Sequence, residues 1–431
     1  MSVPYTPVNV VEIEVWGSTV GATVLDPASG YYAFEYDPAW VRGGIELSPL
    51  HLPLSSGPRV FPTLPELTYR RLPALLADAV PDRFGNALID AYMASNGVQV
   101  GSITSLDRLA YIGRRGMGAL EFKPPRGPQL DPATGYQIGD LVKEARSALS
   151  GSFGTETDST ESIRHLLDVG TSAGGARAKA VIAWNRGSGE IRGGQLDAAA
   201  GFEQWLIKLD GVGDDQQLGA TGNYGRVEYA YYLMATAAGI EMADCSLIEE
   251  QGRAHFVTRR FDRVAGERVH TQTLCGMAHL DFNQIGAHDY SQYLQTVRAL
   301  DLGATAEQRA FRRVVFNVAA ANCDDHTKNF SFTLPRNGRW ALAPAYDVTH
   351  TYSPTGAWTF QHLMSVNGKF ANITKTDLLE LADRYAIADA TAVLKEVAAA
   401  VDSWSEYASL AGVPPATHAA IASDLAAFEI R

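Results

Sequence analysis

The run Asn322-Cys323-Asp324-Asp325-His326-Thr327-Lys328-Asn329, followed by Ala345-Tyr346-Asp347, sets out a carboxylate, a carboxamide five residues after Asp324, and a further carboxylate downstream. Phosphoryl transfer from ATP requires those groups. One carboxylate orients the attacking hydroxyl and accepts its proton; an oxygen ligand and a second carboxylate hold Mg²⁺ against the phosphates. The run lies between an apolar stretch of helical character, Phe311 to Ala321, and a strand-like one, Phe330-Ser331-Phe332-Thr333-Leu334. A rigid catalytic loop belongs in such a helix–loop–strand context.

A second group of residues could meet the nucleotide. Gly170-Thr171-Ser172-Ala173-Gly174-Gly175-Ala176-Arg177-Ala178-Lys179 is small and glycine-rich and leads into a strand-like run from Ala180. Glycines let backbone N–H groups approach phosphate oxygens, and a flanking lysine adds charge. The run fits neither G-x-x-x-x-G-K-[ST] nor G-x-G-x-x-G. Alone it reads better as a plain turn; its place one strand before Lys208 favours the phosphate reading. In Trp205-Leu206-Ile207-Lys208-Leu209, strand alternation puts Trp205, Ile207 and Leu209 on one face and Leu206, Lys208 and Asp210 on the other. Lys208 could reach the phosphates and pair with a helix carboxylate, for which Glu228 is the natural partner. The plainer readings are an edge-strand lysine and a favourable charge at a helix N-terminus. Arg253, Arg259, Arg260, Arg263 and Arg268 form a basic stretch, either an exposed edge or an anion or partner site.

Patterning predicts the elements that must carry these residues. In residues 9–60, Val11, Ile13 and Val15 alternate with Glu12 and Glu14, punctuated by Gly17, Gly21 and Asp26-Pro27, which predicts a small antiparallel sheet. Residues 65–112 turn helical, with a break at Pro81-Asp82 and a helix from about Arg83 to Ser95. Gly113 to Ala119 is a glycine-rich turn before a short strand, Leu120-Glu121-Phe122, and residues 124–134 make a linker. Strands are predicted at 180–184 and 204–209. Helices dominate from Tyr224, including 227–238, 306–321 and an amphipathic helix over Leu378 to Val401. The expected division is 1–125, 135–220 and 221–431. Strand-rich first and helix-rich later is the order of a bilobal, kinase-like α+β fold.

Composition sets bounds. The 431 residues are 46% hydrophobic and 19% charged, as in a soluble globular protein. No window approaches the ~20 apolar residues of a membrane helix, and the N-terminal residues lack a signal-peptide pattern. Cys245, Cys275 and Cys323 are far apart with no C-x-x-C, which suggests neither a zinc site nor a disulfide framework and favours a reducing, cytoplasmic setting. A net charge of −12 argues against direct DNA binding by the whole surface.

Taken in order, these motifs resemble the HipA family, bacterial serine/threonine kinases of toxin–antitoxin systems. The resemblance rests on Val15-Trp16-Gly17 with Val20-Gly21, Leu76 to Arg83, Ile112 to Ala119, Gly170 to Lys179, Ile207-Lys208-Leu209, Glu228-Tyr229 with Ala238-Gly239-Ile240, Arg259-Arg260-Phe261-Asp262-Arg263, Asp324 to Asn329, and Tyr346-Asp347. It covers nearly the whole chain. It implies an N-terminal β-rich subdomain, a kinase-like small lobe and an α-helical large lobe. By position it implies that Asp324 is the base and that Asn329 and Asp347 bind Mg²⁺. Ser172, Ala173, Gly174, Gly175, Lys179, Lys208, Glu228 and Lys328 would belong to the ATP site, and Arg260-Phe261 would lie near the adenine-binding hinge. Ser172 matches the family's autophosphorylated serine, with Thr171 beside it as the alternative. Phosphate there should eject the loop and disable the kinase. Asp325 stands where the best-known member has glycine and stays open as an alternative base, although the five-residue spacing favours Asp324. His326 is read as orienting the loop rather than as a base. The resemblance further implies a toxin that phosphorylates a translation component, such as an aminoacyl-tRNA synthetase. It also implies a small DNA-binding HipB-like antitoxin that carries the operator contact.

Two rival readings are a pseudokinase that serves as antitoxin co-repressor and a kinase of small molecules or lipids. Other residues read as structural. His270, His279 and His288 are nine apart, which puts no two on one helix face. Cys323 reads as a small buried residue ending a helix, and Ser353-Pro354-Thr355-Gly356 as a turn.

Overall fold

The computed structural model describes residues 6–81, 83–128, 135–150, 178–195, 198–212, 223–250 and 252–428. They form two compact units. The first holds Met1–Gly213, Val257–Gln272 and Leu334–Gly338; the second holds Asp214–Phe256, Thr273–Thr333 and Arg339–Arg431. Among the described residues no helix is long and apolar enough to cross a membrane.

The first unit opens with β1 (Val10–Val15), β2 (Ser18–Leu25) and β3 (Tyr32–Tyr36), joined by β4 (Leu120–Lys123) in an antiparallel sheet of order β3-β2-β1-β4. The alternation works as expected. Val11, Ile13 and Val15 are fully buried, while Glu12 accepts from Thr19 and Glu14 pairs with Lys123 at 2.6 Å on the other face. The β1–β2 turn places both Trp16 (φ 51°) and Gly17 (φ 78°) in the left-handed region. Such turns match the twist of a hairpin, but a tryptophan there is strained. Its indole N–H donates to the Arg268 carbonyl at 2.7 Å, which holds the turn. Gly21 is required by close approach, since a Cβ there would meet the Glu35 carbonyl oxygen at 2.2 Å. The helix predicted over 83–95 is present as α1 (Arg83–Ser95). It is followed by α2 (Ser105–Ile112), which opens on a capping box between Thr104 and Asp107.

A second sheet contains β5 (Lys179–Trp184), β6 (Ile191–Gly193) and β7 (Glu203–Lys208) in the order β6-β5-β7. The far side of β7 is also bonded, because Arg260 N donates to the Gln204 carbonyl at 3.0 Å. The reading of Lys208 as an edge-strand lysine is therefore corrected: β7 is flanked on both sides and Lys208 is buried.

The basic stretch also needs correction. Arg253 is half-buried and Arg259 exposed, but Arg260, Arg263 and Arg268 are buried. Arg260 grips Asp262 through two bonds of 2.8 and 2.7 Å, and Arg263 adds a third at 2.8 Å. Asp262 also accepts from Gly118 N at 2.7 Å, while Arg263 donates to the Gly118 carbonyl and Arg268 to the Arg114 carbonyl. Burial alone would raise the Asp262 carboxyl, but Arg260 and Arg263 outweigh it and hold it well below the usual range. Three of the five arginines thus pin the glycine-rich turn at 113–119. A linear count of positive charge could not see that Asp262 and backbone carbonyls consume them.

The second unit is mainly helical. Its elements include α3 (Tyr224–Ala237), α4 (Tyr290–Ala299), α5 (Ala304–Ala319), α6 (Lys375–Arg384) and α7 (Ala390–Asp402). The apolar stripe of α5, with Phe311, Val314, Val315 and Phe316 fully buried, forms its core. The single helix expected over 378–401 is two helices, α6 and α7. Ala386 (φ 47°) and Asp389 (φ 56°) between them are left-handed, a conformation that ends a helix. Glu228 is not an N-terminal surface charge. It lies beyond the first turn of α3 and is 2% exposed. Cys323 is fully buried, and burial raises its thiol far above the ordinary range, so it stays protonated. Ser353 to Gly356 is a turn closed by Gly356 N on the Ser353 carbonyl at 2.9 Å.

Candidate active site

In the second unit, α5 ends at Ala319 and the chain reverses through Ala321 (φ 50°). The loop Asn322–His326 follows, then a single 3₁₀ turn, Thr327–Asn329, and β8 (Ser331–Leu334). This is the helix–loop–strand context expected from the sequence. A buried chain of hydrogen bonds fixes the loop. Asn322 donates to Asn317 at 3.0 Å, Asn317 to the Tyr290 hydroxyl at 2.9 Å, and that hydroxyl to Asp325 Oδ2 at 2.6 Å. His362 Nδ1 meets the same oxygen at 2.8 Å, and Leu363 N donates to Asp325 Oδ1 at 2.6 Å. Asp325 is 1% exposed, and three donors from two distant segments occupy its carboxylate. Thr327 completes the anchoring by donating to the Leu280 carbonyl.

Asp324 has the opposite surroundings. Its side chain is 32% exposed. Its backbone N donates to Thr351 Oγ1 at 2.9 Å, and its Oδ1 accepts the Trp358 indole N–H at 2.7 Å. No hydrogen bond reaches Oδ2 among the described residues. Burial raises the carboxyl above the ordinary aspartate range; His326 and the Trp358 bond oppose that shift, and Asp347 and Asp325 add to it. His326 Nε2 lies 3.6 Å from Asp324 Oδ1, with its ring between Phe282 and Trp358. It flanks the carboxylate. Lys328 lays its ammonium over the Phe282 ring, 4.8 Å from the centroid.

The Asn329 side-chain N–H donates to the Asp324 carbonyl at 2.7 Å, which turns the amide oxygen away from that contact. Tyr346 is anchored by its hydroxyl on the Lys328 carbonyl at 2.7 Å and by a short bond with Ser331 Oγ. The Tyr346 carbonyl accepts from buried Arg313 at 3.1 Å. Next comes Asp347, half-buried and left-handed at φ 50°, a conformation that aspartate tolerates better than most residues. Asp324, Asn329 and Asp347 thus gather around one loop. A carboxamide oxygen and one carboxylate suit Mg²⁺, which keeps several waters and takes substrate phosphates rather than a full protein cage.

The remaining predicted residues lie elsewhere. Glu228 is in the second unit on α3. Lys179, Lys208, Arg260 and Phe261 are in the first. Lys179 and Lys208 are directly opposite in the β5–β7 register, and both are buried. The Arg260 side chain bonds Asp262 and the Gly116 carbonyl, and its backbone N bonds the Gln204 carbonyl. Ser172, Ala173, Gly174 and Gly175, with Thr171, lie outside the described residues. Tyr290, Trp358 and His362 were not picked out from the sequence. They stand more than thirty positions from the aspartates they bond, and no local spacing announces them.

Residues 171–404 match the family model of the HipA-like C-terminal domain, and residues 11–123 match that of the HipA N-terminal domain. The chain belongs to the HipA family. Its fold is that of a HipA chain. A structure of the Shewanella oneidensis MR-1 toxin–antitoxin complex of HipA, HipB and operator DNA superposes with a TM-score of 0.65, covering 97% of this chain and 96% of that one at 16% identity. A Haemophilus influenzae protein named a putative kinase is 29% identical over 134 residues, 28% of this chain; the match spans 39% of that relative's length.

Proposed function

We propose that this HipA-family chain is an ATP- and Mg²⁺-dependent serine/threonine protein kinase and the toxin of a toxin–antitoxin pair. The observation that carries the proposal is the division of roles between adjacent aspartates. Asp325 is saturated with donors, whereas Asp324 keeps one oxygen unengaged and a solvent-facing side chain. Asp324 would orient the acceptor hydroxyl and take its proton. Asn329 and Asp347 would hold Mg²⁺, which when bound neutralises charge on the phosphates. Lys179 and Lys208, opposite each other in the β5–β7 register, are proposed for the ATP phosphates. The backbone of Arg260-Phe261 is proposed for the adenine side. Ser172 is the proposed autophosphorylation site, a serine or threonine of a translation component such as an aminoacyl-tRNA synthetase the proposed target, and the cytoplasm the proposed setting.

A HipB-like, DNA-binding antitoxin is the proposed partner. The Shewanella oneidensis complex, with HipB and operator DNA, supports that reading, as does the net charge of −12, which leaves DNA contact to a partner.

The test is to incubate unmodified purified protein with Mg-ATP and locate phosphate by mass spectrometry, with Asp324→Ala as control. Phosphate on Ser172 in the wild type and none in the variant is the expected result. No phosphate in either would sink the kinase reading in favour of a binding module. Phosphate persisting in the variant would shift the base to Asp325.

A further inference from the structure

Both aspartates of the catalytic loop are held by one short segment of the chain. Trp358 Nε1 donates to Asp324 Oδ1 at 2.7 Å, while His362 Nδ1 and Leu363 N bond the two oxygens of Asp325 at 2.8 and 2.6 Å. The segment is itself fixed. Ser353 N donates to the Thr359 carbonyl at 3.1 Å, and His362 N to the Phe370 carbonyl at 2.9 Å. Thr359 and His362 are 2% and 1% exposed, which roots the segment directly after half-buried Trp358 and on either side of exposed Phe360. The buried His362–Asp325 contact fixes the register. The indole four residues earlier then meets the one aspartate whose second oxygen is unengaged.

We infer that Trp358 is a positioning residue for the phosphotransfer reaction, acting through Asp324; this rests on the reading of Asp324 as base. A carboxylate on a single Cβ turns about its Cα–Cβ and Cβ–Cγ bonds, and an unrestrained one spreads its lone pairs over many directions. The indole N–H fixes Oδ1, so Oδ2 points in one direction. Because the donor is a neutral N–H, it orients the base without adding the full positive charge that would make the carboxylate a poorer proton acceptor. The ring also lies beside His326, with centroids 6.2 Å apart. The bond is made to the base and not to the nucleotide, so its loss should act on the chemical step and spare ATP binding.

The experiment measures autophosphorylation kinetics in wild type, Trp358→Phe and Trp358→Tyr, together with KM for ATP and thermal melting. Phe keeps a ring but removes the donor; Tyr restores a donor at the ring tip. The expected result is a kcat for Trp358→Phe lower by roughly tenfold, as for loss of one hydrogen bond to a charged group. KM for ATP should be unchanged, and Trp358→Tyr should recover part of the loss. If Phe and Tyr fall equally, or if KM rises with kcat held, the ring is packing or substrate contact and the inference is overturned. An active wild type with an equally fast or faster Trp358→Phe overturns it as well while leaving Asp324 as base. A wild type with no phosphotransfer removes the base reading and this inference with it, and that outcome is distinct from the others. Should Trp358→Phe melt early, His362→Gln, which perturbs the same segment from its buried end, must reproduce the kcat loss at a temperature where both variants are folded.

Discussion

Removing the Asp325 carboxylate would leave the Tyr290 hydroxyl, the His362 ring and Leu363 N buried without their acceptor. Asp325→Ala should therefore lower the stability of the second unit by about 3 kcal/mol, read as a lower urea midpoint. Asp324→Ala removes a carboxylate that burial already disfavours and costs one bond to Trp358, so the unfolding free energy should change by no more than about 1 kcal/mol. Activity should respond the other way in severity. Asp324→Ala should reduce phosphotransfer by at least ~100-fold in a protein that folds normally, and a stable, fully active Asp324→Ala would exclude it as base. The sequence placed Asp324 and Asn329 in one local motif because five residues of loop bring them together. It left Asp325 open because neighbours in sequence have equal claims until their environments are known.

Among the elements, the Arg253–Arg268 stretch shows where a linear reading stops. Five arginines read as a basic edge or an anion site, yet Arg260 and Arg263 close on Asp262 and on the carbonyls of Gly116 and Gly118. Asp262→Ala would leave two buried guanidinium groups without their anion and should cost about 3–5 kcal/mol in the first unit; a shift under 1 kcal/mol in its unfolding midpoint would show that water enters and compensates. The split between α6 and α7 has a similar cause. The apolar spacing runs through 378–401 without a glycine or proline to announce the break. The break is made at the left-handed residues Ala386 and Asp389, neither of which is a glycine that would mark it in the sequence.

At the scale of the whole molecule, buried titrating groups set the response to acid. His270 is fully buried with Nε2 on the Leu47 carbonyl at 3.0 Å, and burial lowers its pKa to about 4; burial beside Arg253 brings His255 to about 4 as well. Both are neutral when folded and protonate on unfolding, so their contribution is complete above about pH 6.5 and is lost as pH falls toward 4. For His270 this amounts to about 3 kcal/mol. Asp262 is shifted down instead; its stabilisation persists to the ordinary aspartate range near 3.9 and is lost only below it. A urea midpoint that stayed flat between pH 7 and 4.5 would contradict the histidine assignment. Mg-ATP at a hundredfold excess over its dissociation constant should stabilise the protein by about 2.7 kcal/mol, and Asp347→Ala should remove the Mg²⁺-dependent part of the thermal shift. By itself the sequence determined what short-range order can carry: the alternation of β1, the extent of α1, the apolar stripe of α5, and the helix–loop–strand setting of the run from Asp324 to Asn329. Those features repeat within one strand, one helix or one loop, so side-chain periodicity and spacing encode them directly. Only the tertiary structure decided which aspartate is engaged, that three arginines are internal, and that Trp358, His362 and Tyr290 converge on the loop. Those contacts join residues tens of positions apart, and burial and bond geometry, which settle them, exist only once the chain has folded.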